Sequence, residues 1–448
     1  MVVEFDKRSG TIFSIKEKDG RFGTNFIGNP DNYPGDNPFD SKWAGNIVAT
    51  TWKLTLPEKP LVLIPSFSFR PSGSWQSEAT GPSGDIRKVD FNGETFSVTY
   101  TGQSKNPGGI KSFDLQMTFR FAEDGALLWD ITIKNTTGHV LEFGELGIPF
   151  PANDYYYGVR KDNPYTNLVD DHEVLYEDER LKLKEQPIVH EQRVAAHHFT
   201  GGHSSYSLIQ RLLGDPPFLL VHPMQDTAFE CIYRMDVSPG QGRRRGQPPL
   251  LALHSWAAQR LHDWDTPWVN GHTSLILEPG ESKAYQMRFV FIPGYDAIRE
   301  ENAKSGDLGI RILPSMVVPE GMPAYVEITS EHEPEIEMIS DNITIQNRKR
   351  KGDKTLLTLS FKGRGQKSLK LLYNGDKWTN LHFYCTEPTE ELIKARAQFI
   401  ADRQFYNNPD DPYGRHHMFL PFNYKLGRIY KDAVNVWEVG GSDEYGFS

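Results

Sequence analysis

The chain has 448 residues, of which 49 are basic and 59 acidic, so its formal net charge is −10. This length allows two or three domains with complete cores, and the acidic balance argues against a nucleic-acid partner, which would need a basic footprint. No apolar run approaches the ~18 residues of a transmembrane helix, so no membrane insertion is expected. The two cysteines are too few for a disulfide framework or a cysteine-based metal site.

Residues 1–300 are predicted to form a large two-sheet β-sandwich. Apolar and polar residues alternate in Met117–Phe121, Trp129–Ile133 and Tyr285–Phe291, which gives each strand one face for a core and one for solvent. Glu123-Asp-Gly125 is typical of a hairpin turn between the first two strands. Many such strands over this length favour two stacked antiparallel sheets.

Residues 301–388 are predicted to form a second, smaller β-sandwich of immunoglobulin-like size. A short helix at Tyr295–Ala303 would connect it to the first sandwich. Alternating apolar residues in Leu357–Phe361 mark an inward strand face, and Tyr373-Asn-Gly-Asp376 carries a strong hairpin signal.

Residues 389–448 change to a helical period. The segment Thr389–Tyr406 has Thr389 as a candidate N-cap and an apolar stripe at Ile393, Ala397 and Ile400. So few residues supply about two helices, which is too little for an independent helical domain.

Two local features are predicted to have no special function. The basic clusters Arg243–Arg245 and Arg348–Lys351 are flanked by Gly, Pro or Asp and are interpreted as solvated turns. Cys231 lies in an apolar strand pattern and is interpreted as a buried free thiol.

The densest histidine cluster is His197-His-Phe-Thr-Gly-Gly-His203. In a strand, His197 and His198 would point to opposite faces, and the spacing matches no familiar set of metal ligands. We therefore favour structural or rim histidines, and no metal or other cofactor is predicted.

A tryptophan-rich segment, His262–His272, is a candidate for sugar recognition. It combines Trp264 and Trp268 with short polar side chains that could hydrogen-bond to hydroxyl groups. A proline-containing loop with two partly buried tryptophans is the alternative interpretation.

The last residues, Gly440–Gly446, combine flexible glycines with two acids and flanking aromatic side chains. The acids are Asp443 and Glu444, and the aromatic residues are Trp437, Tyr445 and Phe447. A glycosidase needs a carboxyl pair beside a sugar ring, and aromatic rings provide a stacking surface. On spacing alone, an ordinary solvated acidic turn is the more common explanation. The chain contains no Gly-rich phosphate loop, G-x-S-x-G elbow or H-E-x-x-H sequence.

Several stretches together resemble an uncharacterised, carbohydrate-active family grouped with the six-hairpin glycosidases. They are Trp129–Thr137, Phe143–Pro151, Arg193–Tyr206, Pro217–Pro223, Thr227–Glu230 and Leu277–Glu281. The resemblance implies a mainly β protein with an N-terminal β-supersandwich of the galactose-mutarotase type, then a small immunoglobulin-like sandwich, then an (α/α) toroid. Here the toroid would be a short, incomplete α-helical segment, because its remaining helices have no counterpart before Ser448.

The resemblance also implies a site and a substrate class. Loops at the wide end of such toroids carry the carboxylates, so Asp443 and Glu444 are expected as acid and base, with Glu438 a weaker third. Trp437 and Tyr445 would line a sugar subsite, together with Trp264 and Trp268. The expected partner is a poly- or oligosaccharide whose glycosidic bond is hydrolysed. A truncated product is expected, and these 448 residues alone are not expected to turn over substrate.

Two other functions are consistent with the sequence. A polysaccharide lyase would use Tyr413, His416 and His417 around an acidic sugar. A non-enzymatic carbohydrate-binding module would rely on Trp264 and Trp268. The family resemblance implies an extracellular location, but the N-terminus lacks the apolar core of a signal peptide.

Overall fold

The computed structural model describes residues 1–6, 10–27, 48–55, 61–63, 69–71, 76–79, 87–103, 110–150, 152–153, 194–234, 249–256, 270–412, 414–423 and 427–429. In these residues the fold is mainly β, as the sequence predicts. No helix in the described ranges is long and apolar enough to span a membrane.

The first part of the chain forms a large antiparallel sandwich. The strands of this region are β1 (Val2–Asp6), β2 (Thr11–Lys16), β3 (Val48–Thr55), β4 (Leu61–Leu63), β5 (Phe69–Pro71), β6 (Gln76–Ala79), β7 (Arg87–Phe91), β8 (Thr95–Tyr100), β9 (Phe113–Phe121), β10 (Leu127–Asn135), β11 (Val140–Pro149), β12 (Val194–Phe199), β13 (Tyr206–Arg211), β14 (Phe218–Met224), β15 (Cys231–Arg234), β16 (Pro249–His254), β17 (Leu275–Leu277) and β18 (Ser282–Ile292). The pairs β1–β2 and β4–β5 form separate two-stranded sheets. An eight-stranded sheet has the order β12-β13-β14-β18-β10-β9-β8-β7. A six-stranded sheet has the order β15-β16-β11-β3-β6, with β17 beside β11.

The alternating residues of the long strands fill the core between these sheets. Phe119 of β9 lies opposite Trp129 of β10, and their rings stack with centroids 5.0 Å apart. Trp129 is among the largest fully buried side chains. Truncating such a side chain to alanine typically costs ~3–5 kcal/mol, so these rings contribute strongly to the stability of the sandwich.

A helix and a small sandwich follow. Helix α1 spans Asp296–Lys304, close to the predicted Tyr295–Ala303. The strands are β19 (Gly309–Leu313), β20 (Val317–Pro319), β21 (Ala324–Thr329), β22 (Glu335–Met338), β23 (Ile343–Lys351), β24 (Lys354–Phe361), β25 (Gly365–Tyr373) and β26 (Lys377–Thr386). The sheet β20-β26-β25-β22, here called the inner sheet, contacts the large sandwich. The sheet β19-β21-β24-β23, here called the outer sheet, lies on the other side of the small core.

Both predicted hairpin turns are confirmed. Gly125 has φ +79° and donates its amide hydrogen to the Ala122 carbonyl in the β9–β10 turn. Asn374 and Gly375 both have positive φ between β25 and β26. Asparagine and glycine tolerate this left-handed region, which is why the sequence Asn-Gly marks such turns.

The C-terminal helix differs from its prediction in three respects. Helix α2 spans Thr389–Phe399 and continues as a π-helical turn, Ile400–Gln404. Pro388, not Thr389, is the N-cap, and no side chain caps the helix. The predicted apolar stripe is mostly exposed: no residue of α2 is buried, Ile393 is 64% exposed, and Ile400, in the π-helical turn, is half-buried. The stripe has the correct period, but no described segment covers Ile393 or Ala397.

Short two-residue strands end the described chain. They are β27 (Phe405–Tyr406), β28 (Met418–Phe419), β29 (Phe422–Asn423) and β30 (Arg428–Ile429). They pair as β27–β28 and β29–β30.

Two minor predictions need correction. Arg348–Lys351 is not a turn but the last part of strand β23, whereas Arg243–Arg245 lies outside the described residues. Cys231 is a free thiol, as predicted, but it is partly exposed instead of buried.

Candidate functional site

A cluster of hydrogen-bonded polar side chains lies where one end of the large sandwich meets the inner sheet. We call it the polar junction; its members are His203, Asp226, Glu230, His254, Ser255, Asn270, Thr273, Lys283, Tyr285 and His382. Most of them lie at strand ends or in connections, where the backbone leaves the regular sheets.

Glu230 is the buried centre of the polar junction. It directly precedes β15 and is 2% exposed. Ser255 donates its hydroxyl hydrogen to Oε2 at 2.6 Å, and the Thr273 amide donates to Oε1 at 3.0 Å. The Thr273 hydroxyl also donates to Oε1. Burial raises the pKa of Glu230 to about 7, although the hydrogen bonds from Ser255 and Thr273 act against this rise. The carboxyl group can therefore gain or lose a proton near neutral pH.

His254 extends this network toward the opposite sheet. Its Nδ1 lies 2.8 Å from the Thr273 hydroxyl, and its Nε2 lies 2.7 Å from the Tyr285 hydroxyl. Burial lowers the pKa of His254 to about 4, so the ring is neutral at physiological pH. If Tyr285 donates to Nε2, then Nδ1 carries the hydrogen and donates to Thr273. The hydrogen bonds then run in one direction, from Tyr285 through His254 and Thr273 to the ionised carboxylate of Glu230.

The solvent side of the polar junction carries a charged pair. Lys283 donates to Asp226, whose side chain is 67% exposed. Partial burial acts to raise the pKa of Asp226, but the hydrogen bond and charge of Lys283 outweigh it and lower that pKa. Nε2 of His203 lies 3.6 Å from Asp226. Burial lowers the pKa of His203, so this contact involves mainly a neutral ring.

Asn270 joins the two sandwiches. Its amide group donates to the carbonyls of Thr200 at 3.0 Å and Glu230 at 2.9 Å. Its carbonyl oxygen contacts Nε2 of His382 on β26, whose Nδ1 lies 2.7 Å from the Ser368 hydroxyl. A continuous series of polar contacts therefore links Glu230 to the inner sheet.

The Gly-Gly-His segment forms a second contact between the sandwiches. The His203 amide donates to the Trp378 carbonyl at 2.9 Å, and the Asn380 amide donates to the Gly201 carbonyl at 2.7 Å. Gly202 has φ +117°, and a Cβ there would lie 2.3 Å from the Trp378 carbonyl oxygen. Only glycine fits this close approach.

The remaining histidines of this segment agree with the sequence interpretation. His198 contacts Ser207 at 2.8 Å, whereas His197 contacts Gln210, so the two rings lie on opposite faces of β12. No group of three or more metal-ligating side chains is present in the described ranges.

The other predicted site residues lie outside the described residues. These are Trp264, Trp268, Trp437, Glu438, Asp443, Glu444 and Tyr445. Their roles remain predictions. Of the lyase candidates, Tyr413 also lies outside, whereas His416 and His417 are described and their ring centroids are 3.6 Å apart.

Sequence reasoning missed the polar junction. Glu230 ends the stretch Thr227-Ala-Phe-Glu230, which carries only the family resemblance, and the alternation around Tyr285 predicts only an apolar strand residue. His203, in the histidine cluster, and Asn270, in the tryptophan-rich segment, are the members that belong to a candidate site of the sequence analysis. The members come from separate strands and connections, so spacing along the chain gives no signal of their proximity.

The comparisons with known proteins concern fold and family. No curated protein matches this sequence. The structure is similar to that of a polysaccharide lyase, with 15% identity and a TM-score of 0.62 over 96% of this chain. The chain spans about half, 52%, of that lyase. A putative aldose 1-epimerase from Escherichia coli K12 is a weaker match, with 11% identity and a TM-score of 0.33 over 65% of this chain and 96% of the epimerase.

A protein-family model gives the most direct assignment. The model described as a family of unknown function, DUF5695, matches residues 177–448, which include the polar junction and the whole small sandwich. Because this match covers more than half of the sequence, the chain belongs to the DUF5695 family.

Proposed function

We propose that this protein acts on or binds a poly- or oligosaccharide. The observation that carries the proposal is the fold, which nearly the whole chain shares with a polysaccharide lyase. The polar junction is consistent with it, since exposed Asp226 and Thr273 and half-buried Lys283 present the donors and acceptors that sugar hydroxyl groups require.

The first version of the proposal is hydrolysis of a glycosidic bond, as the resemblance to six-hairpin glycosidases implies. Asp443 or Glu444 would be the acid or base, with Glu438 a weaker third. Hydrolysis needs two carboxyl groups on opposite sides of the scissile bond. Trp437 and Tyr445 would stack on the sugar, and Trp264 and Trp268 would bind it further along.

The second version is elimination, which the lyase fold favours. A base would remove the proton from the carbon next to the carboxyl group of an acidic sugar. A C=C bond would then form as the C–O bond to the glycosidic oxygen breaks, and an acid would protonate the leaving oxygen. Tyr413, His416 and His417 are its candidates. This reaction leaves an unsaturated product that absorbs ultraviolet light, whereas hydrolysis does not.

The test uses the 448-residue chain and a panel of neutral and acidic polysaccharides. Binding is measured by affinity electrophoresis, and turnover by new reducing ends and ultraviolet absorbance. If hydrolysis occurs, D443N and E444Q should each lower it by about 10²–10⁴-fold. D341N, which changes an exposed aspartate in the small sandwich, should have no effect. Ultraviolet-absorbing product that depends on His416 or His417 would instead establish elimination.

Binding variants separate the enzymatic proposals from a binding module. In a module, W264A/W268A abolishes glycan binding, D443N leaves it unchanged, and no turnover occurs. Y384A, which removes an exposed aromatic ring from β26, controls for general loss of aromatic surface. Absence of both binding and turnover with every glycan class would contradict the proposed function.

A further inference from the structure

The exposed face of the outer sheet has an unusual composition for this acidic protein. Strand pairing places the residues of this face in rows across β19, β21, β24 and β23. One row contains Leu313 and Tyr325, and the next contains, in order, Arg311, Glu327, Leu356 and Lys349. The intervening residues of the same strands point into the small core, so the side chains of these rows point away from it.

Apolar groups on this face are exposed. Tyr325 is 52% exposed, Leu313 48% and Leu356 45%. Leu313 and Tyr325 are directly paired across β19 and β21. In the described part of the chain, no segment packs over them. Together they form a flat apolar strip with an aromatic ring at its centre.

Positive charges surround this strip. Arg311, Lys349 and Lys351 are exposed, and none forms an ion pair with a described residue. Lys354 pairs with Glu327 at 3.0 Å, so this acid is already neutralised. Asp353 lies in the β23–β24 turn at the end of the face. The local excess of positive charge contrasts with the net charge of −10 for the whole chain.

A shift in strand register creates this arrangement. The pairing of β23 with β24 changes register between Ile345 and Asn347. Beyond this bulge, Arg348 and Arg350 bond to Glu333 and to backbone carbonyls at the sheet edge. Lys349 and Lys351 alternate with them and lie on the exposed face. The basic run is therefore divided into two structural arginines and two free lysines.

We propose that the exposed face of the outer sheet binds an anionic polysaccharide, with Tyr325 stacking on a sugar ring and Lys349, Lys351 and Arg311 pairing with its acidic groups. Four strands span about 14 Å, which accommodates several consecutive sugar rings. The inference rests on the proposed carbohydrate function and adds to it a second binding surface and the charge class of the ligand. Uronate carboxylates and sulfate esters satisfy the same chemistry.

The test measures binding of the full chain to polygalacturonate, chondroitin sulfate and neutral dextran at one fixed ionic strength. Wild-type protein should bind at least one anionic polymer and should not bind dextran through this face. K349Q/K351Q should weaken binding about five-fold or more, because two exposed charge contacts are removed. Y325A should weaken it to a similar extent, and Y325F should retain most of the affinity.

K88Q/K134Q is the matched control. It removes two exposed lysines of the large sandwich and changes the net charge equally, so it should leave affinity unchanged. Thermal melting of each variant confirms that its fold is intact. The polymer that binds more tightly identifies carboxylate or sulfate as the preferred anion.

Three results would overturn the inference. The first is that K349Q/K351Q and Y325A both bind the anionic polysaccharide as tightly as wild type. The second is that K88Q/K134Q loses as much affinity as K349Q/K351Q. The third is that single-stranded DNA binds as tightly as the polysaccharide, which would indicate attraction to any polyanion. If wild-type protein still binds or processes a glycan in these cases, the proposed function stands and only this surface is wrong. If it recognises no glycan, the proposed function fails as well.

Discussion

Glu230 offers a sharp physical test of the polar junction. Its carboxyl group is almost completely buried, and burial raises its pKa from the ordinary value of 4.5 to about 7. Between these two values the folded protein keeps the proton, whereas the unfolded chain releases it. The unfolded chain therefore binds fewer protons, and the free energy of unfolding falls as pH rises.

The magnitude follows from the two pKa values. Glu230 costs no stability below its unfolded pKa, where both states are protonated. The cost grows by ~1.4 kcal/mol per pH unit up to the folded pKa and is constant above it. Between about pH 5 and about pH 8.5, this one group should lower the free energy of unfolding by about 2.5 kcal/mol.

E230Q removes the titration and retains most of the hydrogen bonds. Its amide oxygen can accept from Thr273, and its amide nitrogen can donate to Ser255. The free energy of unfolding is measured in urea by tryptophan fluorescence at about pH 5 and about pH 8.5. Its decrease between these pH values should be about 2.5 kcal/mol larger in wild type than in E230Q. E300Q, which changes an exposed glutamate of α1, should behave like wild type. Equal pH dependence in wild type and E230Q would refute the assigned pKa and the burial argument behind it.

Two further variants test the polar junction and the contact beside it. T273V removes the hydroxyl that connects Glu230 to His254, so it should lower the free energy of unfolding by about 1–3 kcal/mol. T273S keeps the hydroxyl and should retain most of the wild-type stability. Equal stability of T273V and T273S in urea would contradict the network. G202A should lower the free energy of unfolding by more than about 2 kcal/mol, because the added Cβ strains the backbone and overlaps Trp378. G214A, which is also at positive φ but in open space, should lower it by only about 1 kcal/mol. Similar thermal midpoints for the two variants would contradict the close contact at Gly202.

Local patterns predicted the strands and turns well. Alternation in Met117–Phe121 and the Asn-Gly pair after Tyr373 depend on neighbouring residues only, so they can be recognised without knowing the rest of the fold. Helix α2 shows the limit of such patterns. Its apolar stripe has the correct period, but periodicity does not determine whether another segment covers the stripe.

The candidate site could not be predicted in the same way. Glu230, His254 and Tyr285 carry no recognisable spacing, and their pKa values depend on burial that only packing produces. Along the sequence, histidines are densest at His197–His203. In the structure, His203 mainly joins two sandwiches, and the buried acid lies elsewhere.

Sequence alone therefore determined the mainly β class, the hairpin turns and the change to helix near Thr389, because each depends on local periodicity or turn chemistry. Tertiary structure decided the rest. It placed His203 against Trp378, 175 residues away along the chain, and it gathered Glu230, Thr273, His254 and Tyr285 into one hydrogen-bonded network. Such long-range contacts depend on how sheets pair and stack, which no local pattern specifies.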